Sequence, residues 1–258
     1  MATIGVFDSG LGGLTVVREL RRLMPNSSII YLGDTARVPY GTKSEATIRR
    51  YAVEDADFLL RREVDVIVIA CHTASSIASD YLKALHPETE IISVLEPSVK
   101  AAVGASSSGK IGIIGTTATI RSGKHKSEIL KYGDFQVIGK PCPLFVPLVE
   151  EGLIEGQIPE LIAEMYLEQL KGQIDTLVLA CTHYPLLKPT IRKVMGDDVT
   201  LIDPSEEVAK VVKQKFDDGE EKGSLEVYLT DIPPGYLALI EQFLGEPPDS
   251  IVRVSVFE

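Results

Sequence analysis

Aliphatic runs alternate with amphipathic stretches along the whole chain. The apolar, β-branched runs predict ten strands, at residues 3–8, 28–33, 64–70, 90–95, 110–115, 135–140, 175–180, 198–202, 225–230 and 251–256. The segments between them predict nine helices, near residues 12–23, 44–62, 74–85, 97–105, 117–131, 158–171, 186–195, 205–218 and 235–244. Strands and helices in regular alternation are typical of α/β proteins built on parallel sheets.

Two of the apolar runs repeat each other. Residues 65–73 read DVIVIACHT and residues 175–183 read DTLVLACTH, with an Asp six positions before a Cys in both copies. A second match, between residues 3–9 and 110–116, has nearly the same separation along the chain. Two matches at similar separation indicate a duplicated unit. We therefore expect an α/β protein with two doubly wound parallel-sheet domains related by pseudo-symmetry, and an active site in the cleft between them.

Each copy of the repeat ends in a cysteine where the apolar strand gives way to polar residues. The carboxyl end of a buried parallel strand opens into a crevice, so Cys71 and Cys181 could face one small ligand from opposite sides. Such a pair suits a reaction in which one thiolate removes a proton and the opposite thiol returns one. Each cysteine precedes a predicted helix, whose positive end is expected to lower the thiol pKa from about 8.5 toward neutrality. Cys142, which lies between two prolines, is expected to be a packing residue.

The polar residues after the cysteines are His72, Thr73, Thr182 and His183. Side-chain alternation along a strand predicts that Cys181 and His183 share a face, whereas Cys71 and His72 point apart. His183 is expected to act as a general acid or base or as a thiol partner, with helix capping as the alternative. A zinc site of two Cys and two His is the metallic alternative, which the adjacent Cys71 and His72 suit poorly. An unperturbed histidine at position 72 would titrate near pH 6.5.

Three further segments contain candidate site residues. The loop Asp8-Ser9-Gly10-Leu11-Gly12-Gly13 is glycine-rich where a helix is predicted to begin, so its N–H groups could approach an anion. Asp8 could be a base, a partner for an ammonium group or a helix cap. Gly41 could expose its N–H to a ligand, although turn chemistry explains the segment Pro39-Tyr40-Gly41 equally well. That Glu150 reaches the cleft is a hypothesis from its spacing alone.

Composition and charge exclude several classes of protein. The chain has 258 residues and a net charge of −11, which argues against general nucleic-acid binding. No apolar run approaches the roughly 18 residues that span a membrane, and the first residues do not resemble a secretion signal. Three cysteines, two of them in strand-end motifs, do not form a disulfide framework. We expect a cytoplasmic protein with neither nucleic-acid nor membrane partners.

Taken together, five motifs closely resemble those of the glutamate racemases, a family of cofactor-independent amino-acid racemases that use two cysteines. The motifs occur in the family's order and span most of the chain. They are Phe7-Asp8-Ser9-Gly10-Leu11-Gly12-Gly13, Pro39-Tyr40-Gly41, the segment from Ala70 to Ser75, the segment from Pro147 to Glu150, and the segment from Ala180 to Pro185.

The resemblance implies a division of the chain and a set of roles. Residues 1–95 plus 205–258 would form the first α/β domain and residues 96–204 the second, with glutamate enclosed between them. Neither cofactor nor metal is implied. Cys71 would act on D-glutamate and Cys181 on L-glutamate, assisted by Asp8, Glu150 and His183. The substrate would be bound by Asp8, Ser9, Tyr40, Gly41, His72, Thr73, Thr182 and His183. The D-glutamate would supply peptidoglycan synthesis in a bacterium, and a homodimer is an oligomeric state to be tested.

One residue departs from the family's pattern. The family carries Asn directly after its first cysteine, whereas this chain carries His72. An amide both donates and accepts hydrogen bonds, while imidazole is larger and can become cationic. Two alternatives to glutamate racemisation follow. One is a related racemase or decarboxylase of the same superfamily acting on another acid, and the other is a ligand-binding protein whose catalysis is impaired by His72.

Overall fold

The computed structural model describes residues 2–256, in which ten strands and eleven α-helices alternate. The strands are β1 (Thr3–Asp8), β2 (Ser28–Gly33), β3 (Val66–Ile69), β4 (Glu90–Ser93), β5 (Lys110–Gly115), β6 (Gln136–Pro141), β7 (Thr176–Ala180), β8 (Thr200–Ile202), β9 (Leu225–Leu229) and β10 (Ser250–Arg253). The helices are α1 (Leu14–Leu23), α2 (Glu45–Leu60), α3 (His72–Leu85), α4 (Leu95–Ala105), α5 (Thr117–Arg121), α6 (Lys124–Ile129), α7 (Phe145–Glu150), α8 (Gln157–Leu167), α9 (Lys188–Met195), α10 (Pro204–Lys215) and α11 (Tyr236–Leu244). None of these helices is both long enough and apolar enough to cross a membrane.

The strands form two sheets in which every pairing is parallel. The six-stranded sheet has the order β10-β9-β2-β1-β3-β4, and the four-stranded sheet has the order β6-β5-β7-β8. The order β2-β1-β3-β4 in the first sheet is therefore repeated, strand for strand, as β6-β5-β7-β8 in the second. This correspondence supports the duplication inferred from the sequence repeat. The predicted fold class, two parallel-sheet α/β units, is confirmed.

We propose that the two sheets are the centres of the two predicted domains. The first sheet draws its strands from residues 3–93 and 225–253, and the second from residues 110–202. These ranges support boundaries at residues 1–95 plus 205–258 for the first domain and residues 96–204 for the second. Residues 1, 257 and 258 of the first domain lie outside the described part of the chain.

Strand order determines where the functional side chains lie. In each sheet the first strand pairs with the second strand on one side and with the third strand on the other. The connection from the second strand to the third therefore crosses over the first. Ligands of such sheets bind beyond the carboxyl ends of the strands where this reversal occurs. Asp8 and Cys71 lie at or just after the ends of β1 and β3 in the first sheet. Thr116 and Cys181 follow β5 and β7 in the second.

Two helical regions of the structure differ from the prediction. The helix predicted near residues 117–131 is divided into α5 and α6 because Gly123 takes a left-handed backbone conformation, with φ of 65°. Residues 145–150 form α7, which the sequence did not predict. A helix of six residues is too short to establish a periodic pattern, although its buried Phe145, Leu148 and Val149 follow helical spacing.

The loop after β1 packs directly against the loop after β7. The hydroxyl of Thr15 donates to the backbone carbonyl of Thr182 at 3.0 Å. Gly12 lies so close to the same loop that a Cβ atom there would be 2.3 Å from Thr182 Oγ1 and 2.5 Å from His183 Nδ1. Backbone without a side chain is therefore required at position 12, which is a reason for the glycine-rich sequence of this loop.

Replacement of Gly12 tests this close contact. We expect Gly12→Ala to lower the free energy of unfolding by about 1–3 kcal/mol, because the added methyl group forces the two loops apart. Gly104→Ala is the matched control, since no atom lies within 4 Å of its added Cβ near the end of α4. That change should leave stability unchanged or raise it by up to about 1 kcal/mol. Chemical unfolding followed by circular dichroism measures both, and equal effects would contradict the packing argument.

Candidate active site

A small cavity of about 40 Å³ lies where the carboxyl ends of the two sheets meet. Its lining residues are Ser9, Val38, Pro39, Tyr40, Gly41, Cys71, His72, Thr73, Thr116, Val146, Cys181, Thr182 and His183. Nine of them were predicted from the sequence as site residues, and both sheets contribute. The two other predicted residues are not in the lining, but Asp8 contacts Thr182 and Glu150 contacts His183. The structure thus brings the cysteines of both repeats to one cavity.

Cys71 caps the amino-terminal end of α3 and is 5% exposed. Its thiol donates to the hydroxyl oxygen of Ser9 at 3.5 Å. Burial, reinforced by the carboxylate of Asp8, raises the pKa of this thiol to about 12, although backbone N–H groups of Ala74 and Ser9 act in the opposite direction. The expectation that the helix end brings the pKa toward neutrality is therefore wrong for this state of the site. Desolvation of the thiolate outweighs the nearby donors.

Cys181 directly follows β7 and is 6% exposed. Burial raises the pKa of its thiol well above the ordinary value, and the backbone N–H of His183 opposes that shift. The charges of Asp8, Cys71 and Glu150 raise it further, which requires that the two cysteines lie near each other. Cys142 is also buried, but it is absent from the cavity lining and its thiol donates to the carbonyl of Lys140 at 3.6 Å.

Asp8 connects the two halves of the site. One carboxylate oxygen accepts the N–H of Gly10 at 3.0 Å, and the other accepts the hydroxyl of Thr182 at 3.4 Å. Burial raises the pKa of this carboxyl group, while the nearby His183 acts in the opposite direction. A carboxyl group with a raised pKa that influences both thiols is suited to exchange protons with them.

The buried His183 forms a hydrogen-bonded pair with the partly exposed Glu150. Nε2 of His183 lies 3.1 Å from Oε1 of Glu150, which is at the end of α7. Because a carboxylate only accepts hydrogen bonds, Nε2 carries the hydrogen and a neutral His183 has its lone pair on Nδ1. Within residues 2–256 that Nδ1 atom is buried and has no hydrogen-bond partner. The pair is therefore arranged as a base held in one orientation by a carboxylate.

His72 lines the cavity beside Cys71, so the prediction that these two side chains point apart is wrong. The strand ends at Ile69 and α3 begins at His72, which turns the chain before alternation can apply. Nδ1 of His72 lies 3.2 Å from Nε2 of His125 on α6. Burial, with a smaller effect of His125, lowers the pKa of His72 well below its usual value. The expected titration near pH 6.5 is therefore wrong as well.

Tyr40 and Gly41 lie in a short 3₁₀ turn, Tyr40–Thr42, at the edge of the cavity. The hydroxyl oxygen of Tyr40 lies 2.5 Å from a carboxyl oxygen of Asp34 and 2.7 Å from one of Asp55, within hydrogen-bond distance of both. The end of this side chain is thus held away from the cleft, and the turn is anchored by it.

Three residues that the sequence did not indicate contact Thr73 or its neighbour His72. The hydroxyl of Thr73 lies 3.1 Å from that of Thr116 and 3.2 Å from that of Thr119, while His125 contacts the neighbouring His72. The repeat already aligned Thr116 with Ser9, and this signal could have identified it. Thr119 and His125 belong to no repeated motif.

Metal ligation was the alternative use of the cysteines and histidines. Within residues 2–256, no group of three or more His, Cys, Asp or Glu side chains is arranged to hold a metal ion.

Comparisons with known proteins agree on one family. The sequence profile of the Asp/Glu/Hydantoin racemase family matches residues 12–212. The glutamate racemase of Aquifex aeolicus is 49% identical over 254 residues, 98% of each chain. That of Geobacter metallireducens is 42% identical over 263 residues, covering 98% of this chain and 96% of the relative.

Solved structures agree with the sequence relatives. Glutamate racemase from Francisella tularensis in complex with D-glutamate superposes with a TM-score of 0.92 at 39% identity, covering 99% of this chain and 98% of the other. The Thermus thermophilus enzyme in complex with β-chloro-D-alanine gives a TM-score of 0.87 at 44% identity, covering 98% and 97%. The chain therefore belongs to the glutamate racemases of the Asp/Glu/Hydantoin racemase family.

Proposed function

We propose that the protein interconverts L- and D-glutamate by proton transfer through two cysteine thiols. The observation that carries this proposal is the meeting of Cys71 and Cys181, from equivalent strand ends of two similar sheets, in one cavity. Inversion at the α-carbon needs one group to remove the proton from one face and another to deliver a proton to the opposite face. The relatives support glutamate as the substrate, since the Francisella enzyme was solved with D-glutamate bound.

Each thiol has its own direction of reaction in this proposal. Cys71 removes the α-proton of D-glutamate and Cys181 that of L-glutamate, and the thiol that has not reacted protonates the intermediate. Because burial raises both thiol pKa values, each cysteine needs a partner that accepts its proton. Asp8 is the proposed partner of Cys71. His183, oriented by Glu150, is the proposed partner of Cys181.

The remaining cavity residues are proposed to hold the charged ends of the substrate. Hydroxyl groups of Ser9, Thr73 and Thr182, with backbone donors of the Tyr40–Gly41 turn, suit the carboxylates. Asp8 suits the ammonium group, and His72 and His183 complete the set of proposed contacts. Donors fixed in this way stabilise the charge that develops on the α-carbon and its carboxylate, and exclusion of water strengthens them.

The wider role of the reaction is also part of the proposal. The product D-glutamate would supply peptidoglycan synthesis in the cytoplasm of a bacterium. The predicted homodimer stays a prediction, and light scattering coupled to size-exclusion chromatography would measure its molar mass in solution.

Removal of either reactive thiol tests the two-base mechanism. We expect Cys71→Ala and Cys181→Ala each to reduce racemisation in both directions by at least about 1,000-fold, because nucleophilic and proton-transfer groups contribute on this scale. The measurement is chiral chromatography after incubation of each enantiomer in deuterated water, with deuterium at the α-carbon counted by mass spectrometry. Cys142→Ala is the control and should keep the wild-type rate within about threefold.

The same experiment separates the alternatives. A protein that only binds glutamate would incorporate no deuterium into it. A racemase for another acid would incorporate deuterium into that acid instead. Loss of activity on treatment with a metal chelator would contradict the metal-free mechanism.

The division of labour between the thiols has its own test. A glutamate analogue with a leaving group next to the α-carbon eliminates that group after one deprotonation, so a single thiol suffices. We expect Cys71→Ala to eliminate only from the L-analogue and Cys181→Ala only from the D-analogue, as measured by release of the leaving group. If each variant treated the two enantiomers alike, the assignment of Cys71 and Cys181 would be wrong.

The His183–Glu150 pair should affect one thiol more than the other. Glu150→Gln removes a charge-assisted hydrogen bond, and we expect kcat/KM for racemisation to fall about tenfold. The fall must be the same for both enantiomers, because the ratio of their kcat/KM values equals the equilibrium constant of racemisation. In the elimination assay, which is irreversible, the L-analogue should lose more activity than the D-analogue. Glu151→Gln, an exposed neighbour, is the matched control; similar losses in the two variants would contradict the role of Glu150.

A further inference from the structure

A buried pair of histidines joins the active-site cavity to the second sheet. His72 begins α3 on the side of the first sheet, and His125 lies in α6, which precedes β6 of the second. The two rings stack with centroids 5.3 Å apart and an angle of 27° between their planes. Both side chains are almost completely buried. His125 is absent from the cavity lining, so it would act on a substrate only through His72.

Both imidazoles are neutral. Burial lowers the pKa of His125 to about 4, and burial together with His125 lowers the pKa of His72 well below its usual value. A single hydrogen therefore lies between Nδ1 of His72 and Nε2 of His125, which are 3.2 Å apart. Which ring donates it decides whether the hydrogen of His72 is on Nδ1 or on Nε2, because a neutral imidazole carries only one N–H.

The surroundings of His125 favour one of the two arrangements. Its Nδ1 atom is buried and lacks a hydrogen-bond partner among residues 2–256. If His72 donated, His125 would carry its hydrogen on Nδ1 and leave a buried N–H unpaired. Orphaned buried N–H groups are rarer than unpaired buried acceptors. If His125 donates from Nε2, only a lone pair is left unpaired on Nδ1, and His72 carries its hydrogen on Nε2.

The other ring nitrogen of His72, Nε2, is available to bind a ligand. In the described part of the chain this atom has no hydrogen-bond partner, and unlike Nδ1 of His125 it is not fully enclosed. The ring itself belongs to the cavity lining beside Cys71 and Thr73. A lone pair at this position would repel a carboxylate, whereas an N–H would bind it.

We propose that His125 is a positioning residue: its Nε2–H donates to Nδ1 of His72 and so keeps His72 in the tautomer that offers Nε2–H to a carboxylate of the substrate. The identity of that substrate rests on the proposed function. The position of the hydrogen does not, because it follows from the contacts of the two histidines. The Nε2–H of His72 is thus maintained by His125, which belongs to the other half of the molecule. The tautomer of His72 is therefore fixed only when the two halves are in contact.

Kinetics of five variants test the proposal, with the His72→Asn single variant as the reference for the double variant. We expect His125→Phe to raise KM for both glutamate enantiomers about tenfold with kcat within about twofold, because a hydrogen bond to a charged group is weakened. His125→Gln can still donate to His72 and should keep KM within about threefold of the wild type. In a His72→Asn background, His125→Phe should change KM by less than about twofold, because the residue through which it acts is absent. His86→Phe, outside the cavity, is the control for loss of a histidine.

The nitrogen of His72 that carries the hydrogen is identified by ¹⁵N nuclear magnetic resonance of the ligand-free wild type with ring-labelled histidine. The His72→Asn variant is used to assign the signals. A protonated Nε2 and an unprotonated Nδ1 on His72 support the proposal. The reverse tautomer overturns it, and so does an unchanged KM in His125→Phe or an equal effect of that change in both backgrounds. If His125→Phe does not fold, the His125→Gln kinetics and the wild-type spectrum still decide. Failure of the wild type to racemise glutamate would refute the proposed function and leave the tautomer measurement valid.

Discussion

The direct packing of the loop after β1 against the loop after β7 is the contact on which the site depends. It places the carboxyl ends of two parallel sheets face to face, since Gly12 lies against Thr182 and His183 and Thr15 binds the carbonyl of Thr182. Parallel sheets collect their functional residues at one edge. Two such edges in contact give one cavity lined by a thiol from each sheet. A single sheet would supply only one of the two thiols.

Burial of the cavity residues has opposite effects on substrate binding and on thiolate formation. It strengthens every interaction with a charged substrate, because water no longer competes for the donors. It also disfavours the thiolate, which is the form that removes a proton. The ammonium group of a bound amino acid would offset part of this penalty, since a nearby positive charge favours a thiolate. The substrate would in this way help to create the base that acts on it.

The sequence predicted the sheets and the two thiols, but not the environment of those thiols. Buried parallel strands are continuous apolar runs, and duplication identified Cys71 and Cys181 as equivalent without any structural information. Thr119 and His125 carry no local signal, because they meet Thr73 and His72 only across the contact between the two halves. The direction of the thiol pKa shift likewise depends on burial by distant segments. The contacts of the Tyr40 hydroxyl with Asp34 and Asp55 also depend on the folded chain, and no motif in the sequence indicated them.

The protonated state of the two buried thiols has a consequence for the durability of the protein. Oxidants and electrophiles attack cysteine through its thiolate, and they must also reach the sulfur. In the resting protein Cys71 and Cys181 are neutral and are enclosed in a cavity of only about 40 Å³. Conversion to sulfenic acid is therefore suppressed while the site is idle. The burial that disfavours the thiolate form of both cysteines therefore also protects their sulfur atoms from oxidation.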